Sequence, residues 1–117
     1  MQDFGLPPKT LADIRRILAE CPAVEKAILY GSRAKGNYRP GSDIDLTLIG
    51  DCLDLKTLGY LAARLEASPI PYQVDLSLWS RIDHVNLREH IERVGAIFYQ
   101  RSDVHGDFAP VAPLTQK

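Results

Sequence analysis

From Ser42 to Ile49 the chain alternates: Ile44, Leu46 and Leu48 stand between Asp43, Asp45 and Thr47. A period of two places the apolar side chains on one face of an extended strand and the two carboxylates on the other. One face is therefore built for a core and the other carries acid. Tyr72 to Trp79 follows the same rule, with Val74, Leu76 and Leu78 alternating with Gln73, Asp75 and Ser77. Val24 to Tyr30 reads as a further strand, its apolar run Ala27-Ile28-Leu29-Tyr30 ending at Gly31.

Between these strands the apolar period changes to that of a helix. Leu11, Ile14, Ile17 and Leu18 follow Thr10, a predicted N-cap, and Pro22 closes the stretch. Asp54 is expected to cap a second helix whose buried stripe is Leu55, Leu58, Leu61 (or Ala62) and Leu65, stopped by Ser68-Pro69. A third begins near Asp83 and carries Leu87, Ile91 and Val94 up to Gly95, where a left-handed cap is predicted. Ala96 to Gln100 is a short strand, and Ser32 to Lys35 a single helical turn. The sum is an α/β (α+β) domain, a small mixed sheet packed against helices.

A chain of 117 residues supports one such domain, 1–117, with a working core at about 9–101. Pro7-Pro8 sets off a short leader, and Ser102 to Lys117, with Gly106, Pro110 and Pro113, is expected to be a loose tail. The balance of 14 Lys+Arg against 15 Asp+Glu removes the broad positive field of an autonomous nucleic-acid binder. No apolar run approaches the ~20 residues of a membrane span and the N-terminus lacks the regions of a signal peptide, so no membrane association and a cytoplasmic location are expected. Cys21 and Cys52 have neither disulfide-framework nor zinc spacing, and are read as a helix-end residue and a loop or packing residue. His84, His90 and His105 make no metal set and are read as surface residues.

Chemistry concentrates in Gly31-Ser32-Arg33-Ala34-Lys35-Gly36-Asn37-Tyr38-Arg39-Pro40-Gly41-Ser42-Asp43-Ile44-Asp45-Leu46. Arg33, Lys35 and Arg39 fall in a stretch with no acid, a local anion site in a nearly neutral chain. Gly31 admits close backbone approach, Ser32 adds a hydroxyl at a helix start where phosphate is favoured, and Ser42 is a further donor. Asp43 and Asp45, two apart on a strand, project from one face with Cα atoms about 7 Å apart at roughly 3.3 Å per residue. Hard oxygen ligands suit Mg²⁺ or Mn²⁺ bound to substrate phosphates. Asp75 completes the set if its strand neighbours that of Asp45, and the repulsion among three converging carboxylates is relieved by a divalent cation.

Gly-Ser, ten residues, then Asp-x-Asp resembles the signature of the DNA polymerase beta nucleotidyltransferase superfamily. The fuller string GSRAKGNYRPGSDIDL looks like its small stand-alone branch, the minimal nucleotidyltransferases (MNT). The likeness is strongest over residues 24–79, and Leu87, His90-Ile91, Arg93, Gly95 and Ile97-Phe98-Tyr99 are similar to the end of those proteins. It implies a polymerase-beta-like core, with Gly31 and Ser32 at the nucleoside triphosphate and Asp43 and Asp45 at the metal ions. Asp75 takes the place of the third acid, acting on the attacking hydroxyl. It further implies ATP as substrate, two Mg²⁺ ions (or Mn²⁺), and a HEPN-domain toxin as partner, which the MNT antitoxin inactivates by transferring AMP to a tyrosine.

Arg33 or Lys35 is then expected to neutralise the departing pyrophosphate. The length leaves no room for a domain to hold a nucleic-acid primer or an antibiotic, so the acceptor is expected on another protein. A competing reading is a non-catalytic antitoxin that masks its partner by occlusion, for which Leu6, Phe98, Tyr99, Phe108 and Val111 are interface candidates as well as core or tail candidates. Nonspecific RNA or DNA binding is the weakest reading, because three loop cations neutralise too few phosphates. Tyr30 is read as core, Tyr38 as a loop-surface ring and Trp79 as packing.

Overall fold

The structure, a computed structural model, describes residues 3–104; the expectations for His105, Phe108, Val111 and most of the tail lie outside them. In chain order the elements are α1 (Pro8–Ala19), β1 (Lys26–Tyr30), α2 (Ser32–Lys35), β2 (Ile44–Ile49), α3 (Leu55–Ala67), β3 (Val74–Leu78), a 3-10 turn (Trp79–Arg81), α4 (Val85–Val94) and β4 (Ala96–Gln100). The strands form one sheet in the order β3-β2-β1-β4. β1 is antiparallel to β2 and to β4, while β2 and β3 are parallel. The parallel pair needs a crossover, which α3 supplies. This is the small mixed sheet expected from the sequence.

The alternation in β2 sorts its side chains as predicted. Ile44, Leu46 and Leu48 join Ala27, Leu29 and Leu78 on the face that meets Ile14, Ile17 and Leu18 of α1 and Leu61 and Leu65 of α3. Ile28 and Ile91 are fully buried outside that cluster, where α4 packs on β1. The sheet therefore has a two-helix core face and a second face that α4 covers only in part. Among the described residues no helix is long and apolar enough to cross a membrane.

Several boundaries differ from expectation for local reasons. α1 starts at Pro8 with Pro7 as N-cap, and Thr10 is buried inside the helix. A proline at the first helical position has no N–H to leave unsatisfied, so Thr10 is not needed as a cap. Phe4 and Leu6 are core residues, and the Phe4 ring lies 6.0 Å from that of Phe98.

β2 begins at Ile44, so Asp43 stands just before the strand rather than within it. β3 stops at Leu78, where Arg88 Nη1 donates to the carbonyls of Trp79 and Ile82 at 2.9 Å each and its guanidinium sits 3.9 Å over the Trp79 ring. That clamp makes Trp79 the packing residue it was expected to be. Gly95 is extended (φ −61°, ψ 141°), not left-handed, because the chain runs directly from α4 into β4. Asp54 caps α3 as predicted, accepting from the Thr57 amide at 2.8 Å. Leu55 is outside the buried stripe, 54% exposed.

Candidate active site

β1 ends where the site begins. Tyr30 is the last residue in register with β2, opposite Asp45, and Gly31 then leaves the sheet at φ 77° and ψ −157°. Only glycine adopts that backbone without strain. The turn also brings Gly31 against a carboxylate: a Cβ placed there would lie 2.5 Å from Asp45 Oδ2. The close approach that a glycine permits at this position is, within the chain, to Asp45.

α2 follows, closed by the Lys35 amide on the Gly31 carbonyl and by Gly36, itself left-handed at φ 87°. Ser32 is its first residue and is half-buried. The loop then returns to β2 through a tight turn in which the Arg39 amide donates to Ser42 Oγ at 2.8 Å and the Ser42 amide to the Arg39 carbonyl at 2.9 Å. The Ser42 hydroxyl is thus engaged in shaping the loop that delivers Asp43.

Asp45 and Asp75 are register partners across the parallel β2–β3 pair. The same face holds Tyr30 by its register with Asp45. Burial first, then the charges of Asp75 and Asp43 and a hydrogen bond with Asp75, push the Asp45 carboxyl above its ordinary range. Burial likewise raises the Tyr30 phenol, and the charges of Asp45 and Asp75 add to it. The three predicted acids therefore share one field, with Asp45 half-buried at its centre and Asp43 and Asp75 exposed at its rim.

Among the described residues no Lys or Arg forms an ion pair with any of them. Nor is any group of three or more His, Cys, Asp or Glu gathered closely enough to hold a metal ion. Asp45 and Asp75 pair in register, while Asp43 precedes β2 and acts on Asp45 through its charge. The donors fit a divalent cation in kind, since they are hard oxygens whose repulsion such a cation relieves.

The basic loop divides by role. Arg33, expected at the phosphates, is only 3% exposed; its Nε donates to the Ser42 carbonyl at 3.1 Å and Nη1 to the Phe4 carbonyl at 2.9 Å. Its guanidinium lies 5.1 Å from the ring centres of both Tyr38 and Tyr72. Arg33 is a scaffold residue here, because a planar cation with several donors can bridge two carbonyls and stack on rings at once. Tyr38, 37% exposed, packs on this cation and closes over Gly5, where an added Cβ would meet its ring. Lys35 and Arg39 remain exposed.

His90, read from the sequence as a surface residue, is part of the site. Its Nε2 accepts a hydrogen bond from the Gly31 amide at 3.2 Å, and its ring meets Tyr30 edge-on, centroids 6.3 Å apart. His84 instead caps α4, its Nδ1 accepting from the Leu87 amide at 3.3 Å. Phe4 and Tyr72 lie outside the motif and reach the loop from distant parts of the chain; His90 falls in the stretch similar to the end of the minimal nucleotidyltransferases, but nothing local links it to Gly31.

A sequence model of the polymerase beta nucleotidyltransferase family matches residues 12–104. The chain is 27% identical over 99 residues to the Haemophilus influenzae "Probable protein adenylyltransferase MntA", covering 84% of this chain and 86% of that one. Among solved structures it is similar to a toxin–antitoxin complex with AMP-PNP, with TM-score 0.61, 24% identity, and 84% of this chain and 77% of that chain covered. A second is the tri-AMPylated Shewanella oneidensis HEPN toxin in complex with MNT antitoxin, with TM-score 0.59, 23% identity, and 81% and 73% covered. These structural likenesses establish the fold.

Proposed function

The chain belongs to the polymerase beta nucleotidyltransferase family, and on that premise we propose that it is the antitoxin of a toxin–antitoxin pair, transferring AMP from ATP to a tyrosine hydroxyl of a HEPN-domain toxin. The observation that carries the reading is the in-register pair Asp45 and Asp75 beside the Gly31 turn. Similarity to MntA and to the complex with an AMPylated HEPN toxin supports the choice of AMP and of a protein acceptor.

In the reaction the tyrosine oxygen attacks the α-phosphorus of ATP. A new O–P bond forms, the bond from the α-phosphorus to the bridging oxygen breaks, and pyrophosphate leaves. Gly31 and Ser32 receive the triphosphate at the open end of β1. Asp75, exposed at the rim, accepts the proton of the incoming hydroxyl, a role that contributes about 10²–10⁴-fold in comparable reactions. Asp43, Asp45 and Asp75 would hold Mg²⁺ or Mn²⁺, which when bound withdraws charge from the phosphates and acidifies the hydroxyl. Lys35, the exposed last residue of α2, balances charge on the departing pyrophosphate, while Arg33 and Ser42 keep the loop in shape. Most of the acceleration comes from positioning and fixed charge.

The test is to incubate the chain, copurified with its partner, with Mg²⁺ and each of the four nucleoside triphosphates, and to weigh both proteins intact. The expected result is one or more AMP increments on the partner with ATP, lost with Asp45→Asn. Protection from the toxin that persists in Asp45→Asn without any mass increment establishes occlusion instead.

A further inference from the structure

The hydrogen-bond ladder between β1 and β2 ends at Tyr30 and Asp45, so the next amide, that of Gly31, has no strand partner. It is also the amide of a residue in a glycine-only conformation, the least restrained kind of backbone. The helix that follows has four residues, too few to hold itself in place. Something outside the loop has to fix the turn.

His90 does so from α4, across 59 residues of sequence. A ring nitrogen that accepts an N–H is unprotonated, so the imidazole is neutral with its proton on Nδ1. The neighbouring Ile91 is fully buried and anchors α4, and the Tyr30 ring braces the imidazole edge-on. Burial, then the charges of Arg93 and Lys35, hold the imidazole below its ordinary value, in keeping with the acceptor role.

We propose that His90 is a positioning residue for nucleotide binding: by accepting the Gly31 amide it fixes the Gly31–Ser32 turn beside Asp45 and ties that turn to α4. The proposal rests on the reading that this turn receives a triphosphate. His90 itself need not touch the nucleotide.

The experiment compares His90→Phe, which keeps a ring but has no acceptor, with His90→Gln, whose side-chain oxygen reaches about where Nε2 lies. Amide exchange at Gly31, mant-ATP affinity in the presence of Mg²⁺, and melting temperature are measured for each. In His90→Phe exchange at Gly31 is expected to accelerate and the Kd to rise about fivefold, the change expected when one hydrogen bond ordering a binding turn is lost. Both are expected to recover in His90→Gln. Equal Kd values in wild type and His90→Phe, or equal losses in both variants, overturn the proposal, as does unchanged exchange at Gly31. If exchange responds as expected but the wild type binds no nucleotide, the transferase reading fails while the hydrogen bond stands.

Discussion

Asp45 on β2 and Asp75 on β3 sit directly opposite each other across a parallel strand pair, and Asp45 is the more buried of the two. Two carboxylates in register repel, and burial adds to the cost of ionising Asp45. The arrangement is unfavourable for the fold unless a cation or a shared proton relieves it.

Asp45→Asn is therefore expected to do two opposite things. Transfer falls by about 10²-fold or more. Stability of the metal-free protein rises, by about 0.5 kcal/mol after allowance for solvent screening, or about 2–4 °C in melting temperature. The raised carboxyl also sets a pH signature. Asp45 contributes stability that is fully present below its unfolded value of 3.8 and is lost as pH rises through its higher folded value. Urea unfolding in EDTA across acidic pH checks this, since Asp45→Asn removes that component of the decline.

Asp75→Asn separates proton transfer from nucleotide binding. Asp75 lies apart from the Gly31 turn that receives the triphosphate, so mant-ATP affinity should change far less than turnover, which falls by about 10²-fold. Single-turnover kinetics with partner and ATP measure both quantities. Equal losses in affinity and turnover would assign Asp75 to binding alone.

Gly31→Ala has no comfortable conformation. The backbone there is at φ 77°, and the new Cβ would run into Asp45 Oδ2. Strain of this kind costs about 1–3 kcal/mol, and relief by shifting the turn would displace Asp45 as well. Both a lower urea midpoint and loss of transfer are expected, and Gly31→Ser should fail in the same way.

Arg33→Lys distinguishes scaffold from phosphate ligand. A lysine keeps the charge but cannot bridge the Ser42 and Phe4 carbonyls or stack between Tyr38 and Tyr72. Leaving a buried acceptor unsatisfied costs about 1–3 kcal/mol, so denaturant unfolding should show clear destabilisation. Lys35→Gln, at an exposed position, should leave stability unchanged and weaken nucleotide affinity.

Whatever is local follows from residues that are neighbours along the chain. Two-residue alternation determined which face of β2 is apolar, because strand side chains point to opposite sides whatever the strand packs on. Asp54 determined the start of α3, because a cap acts on amides only three residues away. The Gly31-Ser32 spacing to Asp43 and Asp45 located the site because turn, loop and strand are contiguous. Local rules failed where a neighbour intervened, as when β4 pulled Gly95 into an extended backbone and the core took in Phe4.

That β3 lies beside β2 in a register that pairs Asp75 with Asp45 is a matter of the three-dimensional packing. Strand order is a property of the α3 crossover and of core packing, neither of which is written at the aspartates. The packing also decided that Arg33 turns inward, since its acceptors, the carbonyls of Phe4 and Ser42, meet only in the folded chain. It decided, too, that His90 meets Gly31. A hydrogen bond between residues 59 apart leaves no periodic trace in the sequence, because its geometry is set by how α4 packs on β1.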